Sequence, residues 1–171
     1  AGNGVDDDNN SYIDDIYGID AASDNDTDND PMDEYMSMGH GTHVAGIIGA
    51  IGNNNTNITG INWNVSMMAL RSEEGGTWFI SDAIECFEYM VNMKMDYNVN
   101  IKVASNSWGY SDYGSQALYD AIAAGRDADI LFVFSAGNYG QNLDYGTPHY
   151  PASFNLTNII AVANSDKNDD L

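Results

Sequence analysis

ILFVFSAG, residues 130–137, begins with five apolar residues in succession. A strand with one face in water alternates apolar and polar residues. A run with no polar position suits a strand covered on both faces, as the central strands of parallel sheets are. Working outward, IKVASNS (101–107), NIIAVAN (158–164) and VSMMALR (65–71) read as shorter strands of the same kind. Between them the apolar period changes. Over 79–95, Ile80, Ala83, Ile84, Phe87, Met90 and Val91 recur every three or four residues and predict a helix with one apolar stripe, with Ser81 near its start as a cap. From about Ser115 to Asp127, Leu118, Ala121 and Ile122 predict a second helix. HVAGIIGAI (43–51) carries small apolar residues almost without break, the composition of a helix buried against close neighbours.

Strands alternating with helices imply an α/β fold: three layers, a doubly wound, mostly parallel sheet and helices on both faces. In such sheets ligands gather where loops leave the carboxyl ends of the strands. Here those loops begin at NSWG (106–109) and SAGN (135–138). The first third is different. Residues 1–38 are rich in Asp and Asn, with acidic clusters at 5–15 and 23–34. The whole chain has 26 acidic and 5 basic side chains in 171 residues, a formal net charge of -21. Such a surface repels phosphate backbones and anionic lipid, so neither nucleic acid nor a membrane is expected as partner. One cysteine, Cys86, excludes an intrachain disulfide and lies on the apolar side of the 79–95 helix, as a buried inert thiol would. Several N-x-S/T sequons, Asn54 and Asn57 among them, are expected by chance in so Asn-rich a chain.

Two of the three histidines lie in GHGTHVAG (39–46), three positions apart. Residues so spaced share a helix face, so a zinc pair is conceivable, but no cysteine, third helix histidine or HExxH accompanies them. A packing role is open to either ring. Proton transfer is open to His40, since histidine alone changes charge near neutral pH without perturbation. The glycines around it leave room for a substrate. A helix starting there would disfavour an imidazolium unless a carboxylate opposed the helix's positive end.

GHGTHVAG resembles the histidine signature of subtilisin-like serine peptidases (subtilases). NSWG, SAGN and YPAS (150–153) follow in the family's order, and the opening GNGVDDDNNSYIDDIYG and the ending NIIAVANSDKNDDL also look like bacterial members. The resemblance implies His40 as the catalytic base and Asn138 as the donor that stabilises the oxyanion. It implies Ser107, Trp108 and Gly109 as the segment that pairs with an extended substrate, and Ala136 and Gly137 with Tyr150, Pro151 and Ala152 as walls of the first specificity pocket. His43 is expected to pack or hydrogen-bond behind the catalytic ring, and His149 to sit at the surface or on the pocket rim. Asp and Ser of a Ser-His-Asp triad would complete the site, but the family's D-[ST]-G and G-T-S strings do not occur here. The 171 residues are therefore expected to be the central part of one peptidase domain, incomplete at both ends, inactive alone and poorly stable.

The D-x-D-x-N-x-Y-x-D string from Asp6 to Asp14 offers oxygens on alternate residues, as calcium loops do. Asp6, Asp8 and Asn10 would give side-chain oxygens, Tyr12 a backbone carbonyl, and Asp14 or Asp15 a further carboxylate. Ser11 stands where such loops place glycine, and Tyr17 where they place a bidentate glutamate. Asp26, Asp28, Asp30 and Asp33 offer a second, weaker set. The expected function is serine-type hydrolysis of peptide bonds in proteins by a secreted monomer that uses calcium structurally. A non-catalytic calcium-binding or scaffold module with a peptidase-like fold is the alternative.

Overall fold

The computed structural model describes residues 2–22, 29–33, 39–74, 76–111 and 113–168. Asp26 and Asp28 of the second acidic set lie outside them. The chain divides into two compact units, residues 1–86 and 87–171, and each is described by itself.

In the first unit, β1 (Gly18–Asp20) pairs in parallel with β2 (Ala69–Arg71), and β3 (Glu73–Glu74) forms a hairpin with β4 (Thr77–Trp78). The register sets Asp20 beside Arg71, and the two make a salt bridge whose side chains are 5% and 8% exposed. Ile19, fully buried, is the core residue of β1. Helix α1 (His40–Gly49) follows the histidine motif as predicted. The loop after it returns across the helix at its glycines. A Cβ on Gly46 would touch Ile58, one on Gly49 would collide with Val65, and one on Gly60 would collide with the backbone of Gly49 and Ala50. Asn53, Asn55 and Asn57 in that loop all adopt the left-handed conformation that asparagine tolerates best after glycine, so the Asn-rich tract is turn chemistry. The burial expected of α1 is not found. None of its ten residues is buried and Ile47 is 46% exposed, because the described residues cover only its glycine side.

Helix α2 (Ile80–Met95) has the predicted stripe, with Ala83, Phe87 and Met90 buried, and the division between the units falls within it. Ser81 does not cap it. Its hydroxyl donates to Asp82, which supplies the negative charge in the first turn. Cys86 is 3% exposed, and burial, then the charge of Glu85, pushes its thiol far above its ordinary range, as an inert buried thiol requires.

In the second unit, β5 (Val103–Asn106), β6 (Leu131–Ser135) and β7 (Ile159–Val162) form a parallel sheet with β6 in the middle, the place its sequence predicts. Helix α3 (Gln116–Asp127) connects β5 to β6, capped by the Ser115 hydroxyl, which accepts a hydrogen bond from the Leu118 N–H. It packs Leu118, Ala121 and Ile122 inward, and Gly125 lets Phe132 reach the helix backbone. Phe132 stacks on Phe134, and Phe87 meets both edge-on. Asn158 fastens the layers together, its buried amide donating to the carbonyls of Ile122 and Ile130.

Candidate active site

Because β5 and β6 are adjacent and parallel, with Asn106 opposite Phe134, the loops NSWG and SAGN leave neighbouring strands at the same end. Trp108 turns its ring toward the core, stacked on Phe87 and edge-on to Phe134. Ser107 and Gly109 are exposed on either side of it. An anchored side chain between two open residues presents main chain to solvent, the requirement for recognising an extended peptide. Past β6 the ladder continues to Ala136, whose N–H donates to the Val162 carbonyl. Gly137 then takes a φ of 88°, a left-handed conformation that favours glycine, and its N–H donates to the Ser135 hydroxyl. That turn carries Asn138 out of the sheet, where its side chain is exposed and neutral.

Tyr150 is half-buried and bridges Tyr110 through two 2.8 Å main-chain hydrogen bonds, tying the segment after NSWG to the one after SAGN. Pro151 and Ala152 are buried. His149, expected at the surface or on the pocket rim, is buried. It is 7% exposed, with its Nδ1 3.4 Å from the Ser111 hydroxyl, and burial pushes its imidazole below the ordinary histidine value. Nothing in its immediate sequence signals this. The contacts come from Gly109 and Gly137, both distant along the chain.

In the other unit, His40 is the first residue of α1 and is exposed. Gly39 caps the helix with φ 66°, supplies no side chain, and accepts the His43 N–H on its carbonyl. His43, expected to pack behind the catalytic ring, is exposed as well, one turn further on a helix with no buried residue. The missing cap comes from Asp33, whose carboxylate accepts the Thr42 N–H at 2.7 Å and lies 3.5 Å from the Cβ position of Gly41. Its negative charge opposes the helix's positive end at the residue where an imidazolium would form. Asp33, which the sequence offers as a possible cation ligand, serves as this cap from nine residues away, a role its local sequence does not signal. Asp33→Ala is expected to cost about 1 kcal/mol. It should also speed hydrogen exchange at the Thr42 amide, and an unchanged exchange rate there would refute the cap.

The acidic loop brings part of the proposed calcium set together. Asn10 gathers three carboxylates, its main-chain N–H donating to Asp6 and its side-chain amide to Asp8 and, at 2.6 Å, to Asp15. Burial and then the charge of Asp15 raise Asp8 above the usual carboxylate range. Desolvation also acts on Asp6, but backbone N–H donors from Ser11, Asn10 and Asn9 outweigh it and lower that group. Carboxylate oxygens converging on one residue are the donor type a hard cation takes. Ser11 has φ 78°, the conformation the expected glycine would take. The two candidates for the further carboxylate, Asp14 and Asp15, differ in their surroundings, and Asn10 is turned so that its amide faces Asp15. Asp14 spends its carboxylate on the N–H groups of Asn3 and Gly4, which lower it, so Asp15 is the carboxylate beside Asp8. Asn10 turns its NH2 inward and its oxygen to the Tyr12 N–H, so ligation needs its amide reversed. The Tyr12 hydroxyl donates to Glu85. Among the described residues no three His, Cys, Asp or Glu side chains form a ready-made metal cage.

Comparison with known proteins agrees with the motifs. Residues 4–171 match the subtilase family, Peptidase_S8. Subtilisin-like protease 1 of Plasmodium falciparum is 31% identical over 180 residues, covering 97% of this chain and 24% of that protein. Thermitase of Thermoactinomyces vulgaris is 34% identical over 134 residues, 77% of this chain and 43% of that protein. Among solved structures, sphericase superposes with a TM-score of 0.62 at 27% identity over 76% of this chain and 42% of its own. The S41 psychrophilic protease gives 0.60 at 27% identity over 71% and 38%. The chain thus spans about a quarter of the length of the first of these relatives. No helix among the described residues is long and apolar enough to cross a membrane. With the α/β fold, the NSWG and SAGN loops at one sheet end and a family match over nearly its whole length, the chain belongs to the subtilases, a family of serine endopeptidases.

Proposed function

We propose that this chain carries the histidine base, the oxyanion donor and the substrate-pairing segment of a secreted, monomeric serine endopeptidase acting on proteins. The triad's aspartate and serine would come from segments other than these residues. His40 would take the serine proton as general base and return it to the leaving amine, Asn138 would donate to the tetrahedral oxyanion, and Ser107 to Gly109 would align the peptide. The observation that carries this reading is the exit of NSWG and SAGN from the same end of neighbouring parallel strands, with Ser107, Gly109 and the neutral Asn138 all exposed.

The test is proteolysis of casein by the complete protein. A sulfonyl fluoride that traps an activated serine should abolish it, and Asn138→Ala should lower kcat about 100- to 1000-fold with little change in KM. Hydrolysis indifferent to the sulfonyl fluoride would sink the serine mechanism. Absence of hydrolysis would favour the scaffold alternative.

Calcium belongs to the same proposal. Asp6, Asp8 and Asp15 would hold it, with Asn10 after reversal of its amide and the Tyr12 carbonyl, and it would supply the positive charge that lets these carboxylates stay together ionised. Because Asp8 titrates above the usual range, acidification should reload its proton and weaken binding before ordinary carboxylates titrate. Calcium should raise the thermal midpoint at neutral pH and raise it less on moving toward pH 5. A midpoint indifferent to chelator would remove the ion.

A further inference from the structure

We infer that the His149 imidazole, wedged between Gly109 and Gly137, closes the pocket for the side chain immediately preceding the scissile bond, so that the enzyme selects small residues there. This rests on the peptidase reading above. Gly109 and Gly137 lie just beyond β5 and β6, on the two segments that flank a bound peptide in that reading, and a pair of glycines there leaves a gap. In this chain the gap is filled from within. A Cβ on Gly109 would lie 2.3 Å from Nε2 and 2.8 Å from Cδ2 of His149, and one on Gly137 would lie 3.3 Å from three atoms of the same ring.

The ring is also held in place. Its Nδ1 faces the Ser111 hydroxyl at 3.4 Å, the His149 N–H donates to the Ser153 hydroxyl at 3.0 Å, and its carbonyl accepts the Ser153 N–H at 2.9 Å. The next residue, Tyr150, is locked to Tyr110. Only 7% of His149 is exposed, so it is not a rim group free to swing out. An aromatic substrate side chain would have to expel the ring and strip it of these contacts. A methyl or hydroxymethyl group would not. Burial keeps the imidazole in its neutral form at neutral pH, so it carries no charge there with which to attract an acidic side chain.

The test uses the complete protein and peptides that differ only at the residue before the scissile bond. The wild type should show kcat/KM for Ala above that for Phe by about tenfold or more, and His149→Ala should shift the Phe-to-Ala ratio by at least about tenfold toward Phe, the scale of hydrophobic-pocket discrimination. His149→Gln, which keeps most of the volume and a hydrogen-bonding atom for Ser111, should leave the ratio within about threefold. Should the alanine variant not fold, His149→Thr carries the same comparison with a smaller opening. A wild type that cleaves after Phe as well as after Ala overturns the inference, and so does a folded small-residue variant with an unmoved ratio. Either result with protein hydrolysis intact leaves the peptidase reading standing. No hydrolysis of any peptide or protein removes both.

Discussion

His40→Ala in the complete enzyme is expected to lower kcat by at least about 10,000-fold while leaving KM for a peptide substrate within a few-fold. A general base acts only in the transition state, where the attacking hydroxyl gives up its proton, so loss of one would fall on turnover and spare binding. The position makes the experiment clean. His40 is exposed at the first position of α1, a helix none of whose residues is buried. Alanine is the best helix former, so the variant should melt at the wild-type temperature. Residual hydrolysis should remain above the uncatalysed rate, because Asn138 and the Ser107 to Gly109 segment would still orient the substrate and stabilise its oxyanion. A variant with wild-type turnover would remove His40 from the chemistry. A variant that lost its fold would show that the exposed ring carries a structural load that its surroundings do not reveal.

How far such features were legible in the sequence depends on whether their cause is local. β6 was legible as a central strand from its five apolar residues, although among the described residues only its Phe132 and Phe134 face is buried and Leu131 and Val133 are half-buried. α3 was legible to its cap, since Ser115 acts on the turn it begins. β1 was not, because three residues carry no period and Gly18 to Asp20 become a strand only through their partner, β2. The two-residue strands of the β3 and β4 hairpin fail for the same reason. α1 shows a different limit. Its composition suits a buried helix, but burial depends on what covers it, and the described residues reach only its glycine side. At the site, the catalytic candidates were found through motifs, while Asp33 and His149 were misread because their partners are remote. One caps a helix that starts after residues 34–38, and the other is shaped by glycines on two different loops.

The Asp20 and Arg71 pair is the second place where a single substitution should have a large effect. Parallel pairing of β1 with β2 sets the two side by side and buries both, and Asp20 is further fixed by the Ala22 N–H at 3.0 Å. Removing charges from water costs several kcal/mol per ion, and mutual attraction offsets that only while both partners are present. Asp20→Ala should therefore destabilise the chain by about 3 to 5 kcal/mol, because it strands a guanidinium that is 8% exposed. Arg71→Met should do less harm than Asp20→Ala, since a carboxylate left alone can take up a proton and become neutral, whereas arginine cannot shed its own. The double variant Asp20→Leu/Arg71→Met should recover most of the loss, an apolar pair of similar volume having no desolvation cost to offset. Urea unfolding of the four proteins measures all of this. If the double variant is as unstable as Asp20→Ala, the pair does more than neutralise itself, and the place to look is the main chain beside it, where the Arg71 carbonyl accepts both the Ala21 N–H and the Cys86 thiol.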